Sequence, residues 1–342
     1  MELINNKKEI KKSRIDWIDM AKGYGIILVI LGHLGVGKLG TWIYTFHMPL
    51  FFFLSGYVFS SKYDFITFIK RKLQSIILPY FALGIPMIIF QFIWTVFYEK
   101  GNIHIIDLFL SLLVQRRFLT LWYLACLYWL NIGFYCLVKF SKSPLKNAVL
   151  SILIFLLGLI YYKFCGVVLP WNIDICFTAV LFFGGGYWLK NNYTYIRTLI
   201  NKRQSIIVLL VSFVINIVFG YLGIKISGKG MEMFYSSYGF WPFSILSAFA
   251  GIVSIIIVSH WFTINFIRYI GENSLIYFAW HQTIMIPIVR NTFLLIGIKC
   301  YDFNNYGSLL LERVFELIVI ISVLTIFQLI ISRSKLKFMI GK

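Results

Sequence analysis

Ten apolar segments, each about long enough to cross a membrane, dominate this chain. A transmembrane helix needs about 20 mostly apolar residues. By that measure the segments are residues 21–40, 43–60, 75–98, 118–138, 147–163, 172–189, 205–223, 240–262, 274–297 and 310–332. Only 13% of the residues are charged, whereas soluble domains carry about a quarter. We therefore predict an all-α, polytopic membrane protein with about ten transmembrane helices.

The distribution of basic residues predicts the topology. When the N-terminus is placed inside, most of the 32 lysines and arginines fall on the inner side, in agreement with the positive-inside rule. Both termini are then cytosolic, with a basic lead-in over residues 1–20 and a basic tail over 333–342. We interpret 1–342 as a single membrane domain. The segment 105–117 is too short to span and predicts an interfacial or re-entrant helix.

Charge and cysteine spacing exclude several other classes. The net charge of +19 is explained by basic inner loops and contact with anionic membrane lipids, so we expect no nucleic-acid partner. The five cysteines lack paired CxxC spacing, which argues against a metal site or a disulfide framework. No Walker loop is present, so we expect neither ATP as a donor nor a bound cofactor.

A histidine interrupts the first apolar segment, AKGYGIILVILGHLG at residues 21–35. At about 100° per residue, Lys22 lies about 20° and Asp19 about 40° from His33 around a helix axis, and His33 lies about 16 Å deeper than Lys22. Polar residues on one stripe of such a helix face a protein interior or a water-filled cavity. The alternative interpretation is a packing histidine bonded to a neighbouring carbonyl.

A second polar motif follows in TFHMPLFFFLSGYVF at residues 45–59. His47 is predicted near the outer end of the second span, with Ser55 and Gly56 deeper. Gly56 by itself is typical of close helix packing in membranes, and a lone His47 is typical of an interfacial histidine.

The two motifs together resemble the opening of the acyltransferase-3 family of integral membrane O-acyltransferases, in its fucose 4-O-acetylase-like branch. Lys22 and His33 match the family's basic residue, ten-residue gap and histidine, and FFFLSGY matches its Phe-Phe-x-x-Ser-Gly element. Further similar stretches follow in order: FIKRKLQSIILPYF (68–81), LWYLACLYW (121–129), FFGGGYWL (182–189) and IGENSLIYFAWHQ (270–282). Where the family often has two arginines three apart, Lys72 keeps the charge and Ser75 does not.

This resemblance implies an acyl-CoA-dependent O-acetyltransferase in a bacterial cytoplasmic membrane. Acetyl-CoA would be the co-substrate, with succinyl or another short acyl group as an alternative. The acceptor would be a hydroxyl of a cell-surface or capsular polysaccharide or of its lipid-linked precursor, and homo-oligomerisation stays open. A polysaccharide or glycolipid transporter is the competing interpretation, because intramembrane charges suit both. The lack of a clear internal repeat counts against transport.

The resemblance assigns the catalytic role to His33 and Lys22. His33 is expected to act either as a general base on the sugar hydroxyl or as a transient acyl carrier. Asp19 and Lys22 lie too far along the helix to touch His33, so they are better suited to binding the donor or lining its entrance.

Further substrate-binding candidates lie on both predicted faces: Asp19, His47, Ser55, Lys70, Arg71, Lys72, Arg116, Arg117, Trp122, Tyr123 and His281. The basic cluster at 70–72 suits the donor's phosphates, although positive-inside topology also explains it. The arginines at 116 and 117 suit an anionic acceptor or lipid head groups.

The remaining candidates have structural alternatives. The aromatic pair at 122 and 123 suits a sugar ring, but interfacial aromatic residues are often membrane anchors. His281 lies in a matched motif and is also compatible with a structural role. Arg290 is predicted to form a structural ion pair with Glu312 or Glu316.

Overall fold

A computed structural model describes residues 14–199, 201–297 and 306–341. The first thirteen residues of the predicted basic lead-in and Lys342 of the predicted tail lie outside this range. The described helices are α1 (Asp16–His33), α2 (Lys38–Tyr44), α3 (His47–Val58), α4 (Phe65–Tyr98), α5 (Ile105–Val114), α6 (Trp122–Ser141), α7 (Pro144–Phe164), α8 (Ile173–Leu199), α9 (Lys202–Ser227), α10 (Trp241–Trp261), α11 (Asn265–Glu272), α12 (residues 274–295) and α13 (Tyr306–Arg333).

The predicted all-α, polytopic architecture is confirmed. Within the described ranges, seven helices are long and apolar enough to cross a membrane: α4, α6, α7, α8, α9, α10 and α13. The other three predicted spans are helical but differ from simple spans. Helix α1 has 18 residues with several charges, α3 has 12 residues, and α12 contains a π-helical turn over His281–Met285. A total of ten spans and cytosolic termini therefore stay predictions.

Local sequence signals explain several helix ends. The Asp64 side chain caps α4 by accepting a hydrogen bond from the Thr67 amide at 3.0 Å. Asn201 and Gln204 form a capping box at the start of α9, and α9 ends at Gly228 in the left-handed conformation. Helix α5 has 10 residues, which confirms that the segment before the fourth predicted span is too short to cross.

Glycines bring the backbones of α3 and α8 into close contact. A Cβ on Gly56 would overlap the backbone of Phe183, and one on Gly186 would overlap the backbone of Phe53. The predicted packing role of Gly56 is confirmed. In lipid, helix association depends on such close approach because the surrounding acyl chains are as apolar as the side chains.

Replacing Gly186 with alanine is expected to destabilise the protein by about 1–3 kcal/mol, because the added methyl group must displace backbone atoms. Thermal unfolding in detergent measures the effect. The matched control is Gly133→Ala on α6, where a Cβ meets no atom within 4 Å. It should leave the unfolding temperature unchanged or raise it, since alanine is the better helix former. Equal unfolding temperatures for the two variants would contradict the packing assignment.

Candidate active site

Helices α1, α3 and α12 converge on a cavity of about 510 Å³ that is lined by His33, His47 and His281. His33 is the last residue of α1, His47 the first of α3, and His281 the first of the π-helical turn in α12. The rings of His33 and His281 have their centroids 5.1 Å apart. Three imidazoles from three helices therefore face one space, and His281 is far from the other two in sequence.

Backbone hydrogen bonds define the tautomers of two of these histidines. Nδ1 of His47 lies 3.1 Å from the carbonyl oxygen of Ile43, and Nδ1 of His281 lies 3.0 and 2.9 Å from the carbonyls of Tyr277 and Phe278. A carbonyl only accepts, so each Nδ1 must carry the proton and each Nε2 is left with a lone pair. Nε2 of His281 is buried and has no hydrogen-bond partner in the described structure.

His33 is held differently from the other two histidines. Its Nδ1 lies 3.2 Å from the hydroxyl of Tyr44, the last residue of α2. The Tyr44 ring also packs edge-on against His47, with centroids 4.7 Å apart. Unlike the fully buried His281, the side chain of His33 is partly exposed. It is therefore the histidine of the three that a substrate in the cavity reaches most readily.

A short hairpin loop between α9 and α10 covers one side of this cavity. Glu232 and Ser237 exchange backbone hydrogen bonds of 2.7 and 3.0 Å, and the enclosed residues Met233, Phe234 and Tyr235 line the cavity. Phe234 packs edge-on against Trp122, with ring centroids 5.9 Å apart. The loop thus supplies aromatic side chains to the lining of the cavity.

Arg117 anchors this loop instead of facing the cavity. Its guanidinium forms a bidentate ion pair with Asp174 and donates a hydrogen bond to the Ser236 hydroxyl at 2.7 Å. It also donates to the amide oxygen of Asn172 at 3.2 Å. Only 12% of the Arg117 side chain and 5% of the Asp174 side chain are exposed. These contacts give Arg117 a structural role outside the histidine cavity, and its part in acceptor binding stays a prediction; Arg116 is exposed outside the cavity.

A second, smaller cavity of about 240 Å³ lies towards the other end of α1. It is lined by Lys22, Ser55 and Tyr123. The Tyr123 hydroxyl donates to the carbonyl of Phe51 at 3.2 Å, and it accepts from the Ser55 hydroxyl at 3.0 Å. Lys22 and His33 lie on the same helix but line different cavities, and so do the neighbours Tyr123 and Trp122.

Aromatic rings separate the two cavities. Phe278 lines both of them, and its ring centroid lies 5.3 Å from that of Tyr123 and 6.4 Å from that of Phe51. These three residues, which we call the aromatic partition, are each no more than 7% exposed. Phe278 is thus a wall common to both cavities, and the rings of Phe51 and Tyr123 pack against it on the side of the Lys22 cavity.

Charged residues at the start of α1 form a connected network. The buried Asp19 carboxylate lies 3.9 Å from the Lys22 amine and 3.8 Å from the Arg14 guanidinium. Arg14 also pairs with Glu272 of α11 at 2.9 Å. Asp19 therefore positions Lys22 and is not itself in contact with either cavity.

The basic cluster at the start of α4 borders a third, more open cavity of about 380 Å³. Arg71 and Lys72 line it, whereas Lys70 does not. The Arg71 guanidinium stacks over the ring of Tyr63 at 4.1 Å from its centroid, a cation–π contact that orders the side chain. The structure thus separates this cluster from the histidine cavity.

Arg290 forms the predicted structural ion pair, and Glu316 is its partner. The distance between Nε and the nearest carboxylate oxygen is 3.3 Å. Arg290 also donates to the carbonyl of Leu34 at 2.8 Å, directly after His33. The pair therefore holds the end of α1 where the catalytic candidate lies.

The sequence interpretation missed several residues of the cavity, above all Tyr44, Glu99, Thr120 and Glu232. One sequence feature could have indicated Tyr44: it stands three residues before His47, which was already a candidate. Glu232 had none, because a lone carboxylate in a polar loop is ordinary. In the described residues, no group of three or more His, Cys, Asp or Glu side chains is arranged to hold a metal ion.

The fold and the site define a polytopic helical membrane protein with a histidine-lined cavity between its helices. The sequence matches the acyltransferase 3 family, described as "Acyltransferase domain", over residues 15–332. The chain therefore belongs to this family of acyltransferases, as the sequence motifs predicted. Its place in the fucose 4-O-acetylase-like branch stays a prediction. No curated protein and no solved structure matches the chain.

Proposed function

We propose that this acyltransferase moves an acetyl or similar short acyl group from acyl-CoA to a hydroxyl of an envelope glycan or its lipid-linked precursor. The observation that supports this most directly is the convergence of His33, His47 and His281 on one cavity. Two of these histidines present a free Nε2 lone pair. Such a site suits proton removal from a hydroxyl in a chain whose family transfers acyl groups.

His33 is the proposed general base. When its Nδ1–H donates to the Tyr44 hydroxyl, its Nε2 can accept the proton of the acceptor hydroxyl. The oxygen then attacks the thioester carbonyl and forms the new ester bond, while the carbon–sulfur bond breaks. The departing CoA thiolate takes the proton from His33, which restores the neutral imidazole.

The Lys22 cavity is the proposed entrance for the donor's acyl end. Lys22 carries the positive charge, and the hydroxyl oxygens of Ser55 and Tyr123 can accept hydrogen bonds from the amide groups of the pantetheine arm. Arg71 and Lys72, at the third cavity on the predicted cytosolic face, suit the donor's phosphates. The thioester would reach His33 past the aromatic partition, which favours a short acyl group.

The proposal predicts transfer of label by the purified full-length chain in lipid nanodiscs. Incubation with acetyl-CoA labelled in the acetyl group and delipidated envelope oligosaccharides should give labelled, alkali-labile oligosaccharide. Nanodiscs have no enclosed compartment, so transport cannot produce this signal. Movement of glycan across sealed vesicles without acetyl-CoA, together with no labelled product, would overturn the proposal in favour of a transporter.

The same assay without acceptor distinguishes a direct transfer from an acyl-histidine relay. Direct transfer with His33 as base leaves no label on the protein after rapid gel filtration. A relay leaves up to one label per chain, which hydroxylamine removes. A label that survives in the His33→Gln variant would place the carrier elsewhere.

A further inference from the structure

The histidine cavity carries negative and not positive charge. The described residues that line it include the carboxylates of Glu99 and Glu232 but no lysine or arginine. Arg117 and Arg290, which lie beside lining residues, are each paired with a carboxylate, and Lys229 lines a neighbouring cavity that shares Glu232 with this one. In a chain with a net charge of +19, an acidic cavity is unexpected. The charge of the cavity therefore bears on the charge of the molecule that binds there.

Glu232 has a carboxylate available to a ligand. It lies at the base of the hairpin loop, is partly buried, and forms no side-chain hydrogen bond or ion pair within the described chain. Burial raises the pKa of this carboxyl above its usual value. The loop is anchored through Ser236 to Arg117, so the position of Glu232 does not depend on a bound ligand.

Glu99, an exposed residue, offers a second acceptor in the lining of the cavity. One of its carboxylate oxygens accepts a hydrogen bond from the indole of Trp94 at 3.1 Å, which leaves the other oxygen free. The indoles of Trp94 and Trp122 both line the cavity. Carboxylates beside aromatic rings combine hydrogen-bond acceptors for hydroxyls with flat apolar surfaces for a sugar ring.

The lining of the cavity also contains two buried polar atoms that could form a hydrogen bond and do not in the described part of the chain. Nε2 of His281, in a fully buried side chain, and Oε1 of Gln91 have no hydrogen-bond partner among the described residues. Both residues line the cavity. Because buried polar groups are nearly always hydrogen-bonded, these atoms indicate a ligand or water with hydrogen-bond donors. Both are acceptors that a hydroxyl satisfies and a carboxylate does not.

We infer that the acceptor site takes an uncharged polyhydroxyl ring, a neutral sugar residue, and discriminates against a uronate or phosphorylated sugar at the same position. This inference rests on the proposed acyltransferase function and specifies its acceptor. Each lone pair of Glu232, Glu99, Gln91 and His281 can accept from a hydroxyl, whereas an anionic ligand would meet two carboxylates and no lysine or arginine among the described residues that line the cavity.

The test compares methyl glycosides of glucose, galactose and mannose with the methyl glycosides of the corresponding uronates. Each pair differs in a hydroxymethyl group against a carboxylate, so acylation is compared at the secondary hydroxyls, which both members carry. With the unchanged protein and labelled acetyl-CoA, we expect kcat/KM at least tenfold higher for the neutral member of any pair that is acylated. Equal rates, or a preference for the uronate, would overturn the inference.

A variant without the charge of Glu232 tests whether this residue causes the preference for neutral sugars. Glu232→Gln keeps the shape of the side chain but removes its charge, so the preference for the neutral sugar should fall at least threefold. The matched control is Asp107→Asn on α5, an exposed carboxylate outside the cavity, which should leave the preference unchanged. An unchanged preference in a folded Glu232→Gln protein would assign the discrimination to another residue and contradict the role of Glu232.

Failure of this inference is distinguishable from failure of the proposed function. If no member of any pair and no envelope oligosaccharide is acylated, the acyltransferase proposal itself fails. If acyl transfer occurs without a preference for neutral sugars, only the acceptor inference fails. The comparison with the unchanged protein stands even if the Glu232→Gln variant does not fold.

Discussion

Replacing His33 with alanine is expected to lower acyl transfer by about 10²–10⁴-fold, the range for loss of a general base. The physical reason is that His33 is the partly exposed one of the three histidines among the described residues that line the cavity, whereas His47 and His281 are buried. The loss should appear in kcat, with KM for the donor nearly unchanged, because the donor is proposed to bind in the Lys22 cavity. Initial rates with labelled acetyl-CoA at varied donor concentrations separate the effect on kcat from the effect on KM.

The matched control for His33 is another histidine on the same predicted face of the membrane. His104 is exposed before α5 and does not line the cavity. His104→Ala should retain the rate of the unchanged protein. If His33→Ala retains activity within threefold at equal abundance, the base is another residue, and His281 with its free Nε2 is the next candidate.

Replacing Arg117 with methionine is expected to cost about 3–5 kcal/mol of stability, because it leaves the Asp174 carboxylate buried without its partner. The hairpin loop also loses its hydrogen bond from the guanidinium to Ser236. Thermal unfolding in detergent should show a large fall in the midpoint. This loss of stability should be seen in the absence of any substrate.

A second substitution tests whether the buried charge causes this loss. The double variant Arg117→Met with Asp174→Leu removes both charges, and replacement of a buried ion pair by apolar residues is often neutral. It should recover much of the stability. If Arg117→Met unfolds at the usual temperature and instead raises KM for the acceptor, Arg117 binds the acceptor as the sequence first suggested.

Particular residues show where prediction from the sequence succeeded. The apolar segments around α6, α7, α9 and α10 each predicted a helix that the structure contains, because the length and composition needed to span lipid are local properties. The ordered motifs from Lys22 to His281 predicted the family that the chain belongs to. The ion pair of Arg290 was also predicted correctly, since an intramembrane arginine needs a carboxylate.

The arrangement of the site could not be predicted in the same way. Helical geometry placed Lys22 and His33 on one stripe, but the aromatic partition divides that stripe between two cavities. Arg117 looked available because its partner, Asp174, belongs to a distant helix. Glu232 carries no local signal, since its significance comes only from the walls opposite it.

The sequence by itself determined that the chain is helical and membrane-spanning, because backbone groups in lipid must satisfy their hydrogen bonds within each segment. It also determined the family, since the motifs are runs of neighbouring residues. Only the tertiary structure decided that His33, His47 and His281 share one cavity while Lys22 lines another. The physical reason is that such neighbourhoods depend on how helices far apart in sequence approach one another, as at Gly56 and Gly186.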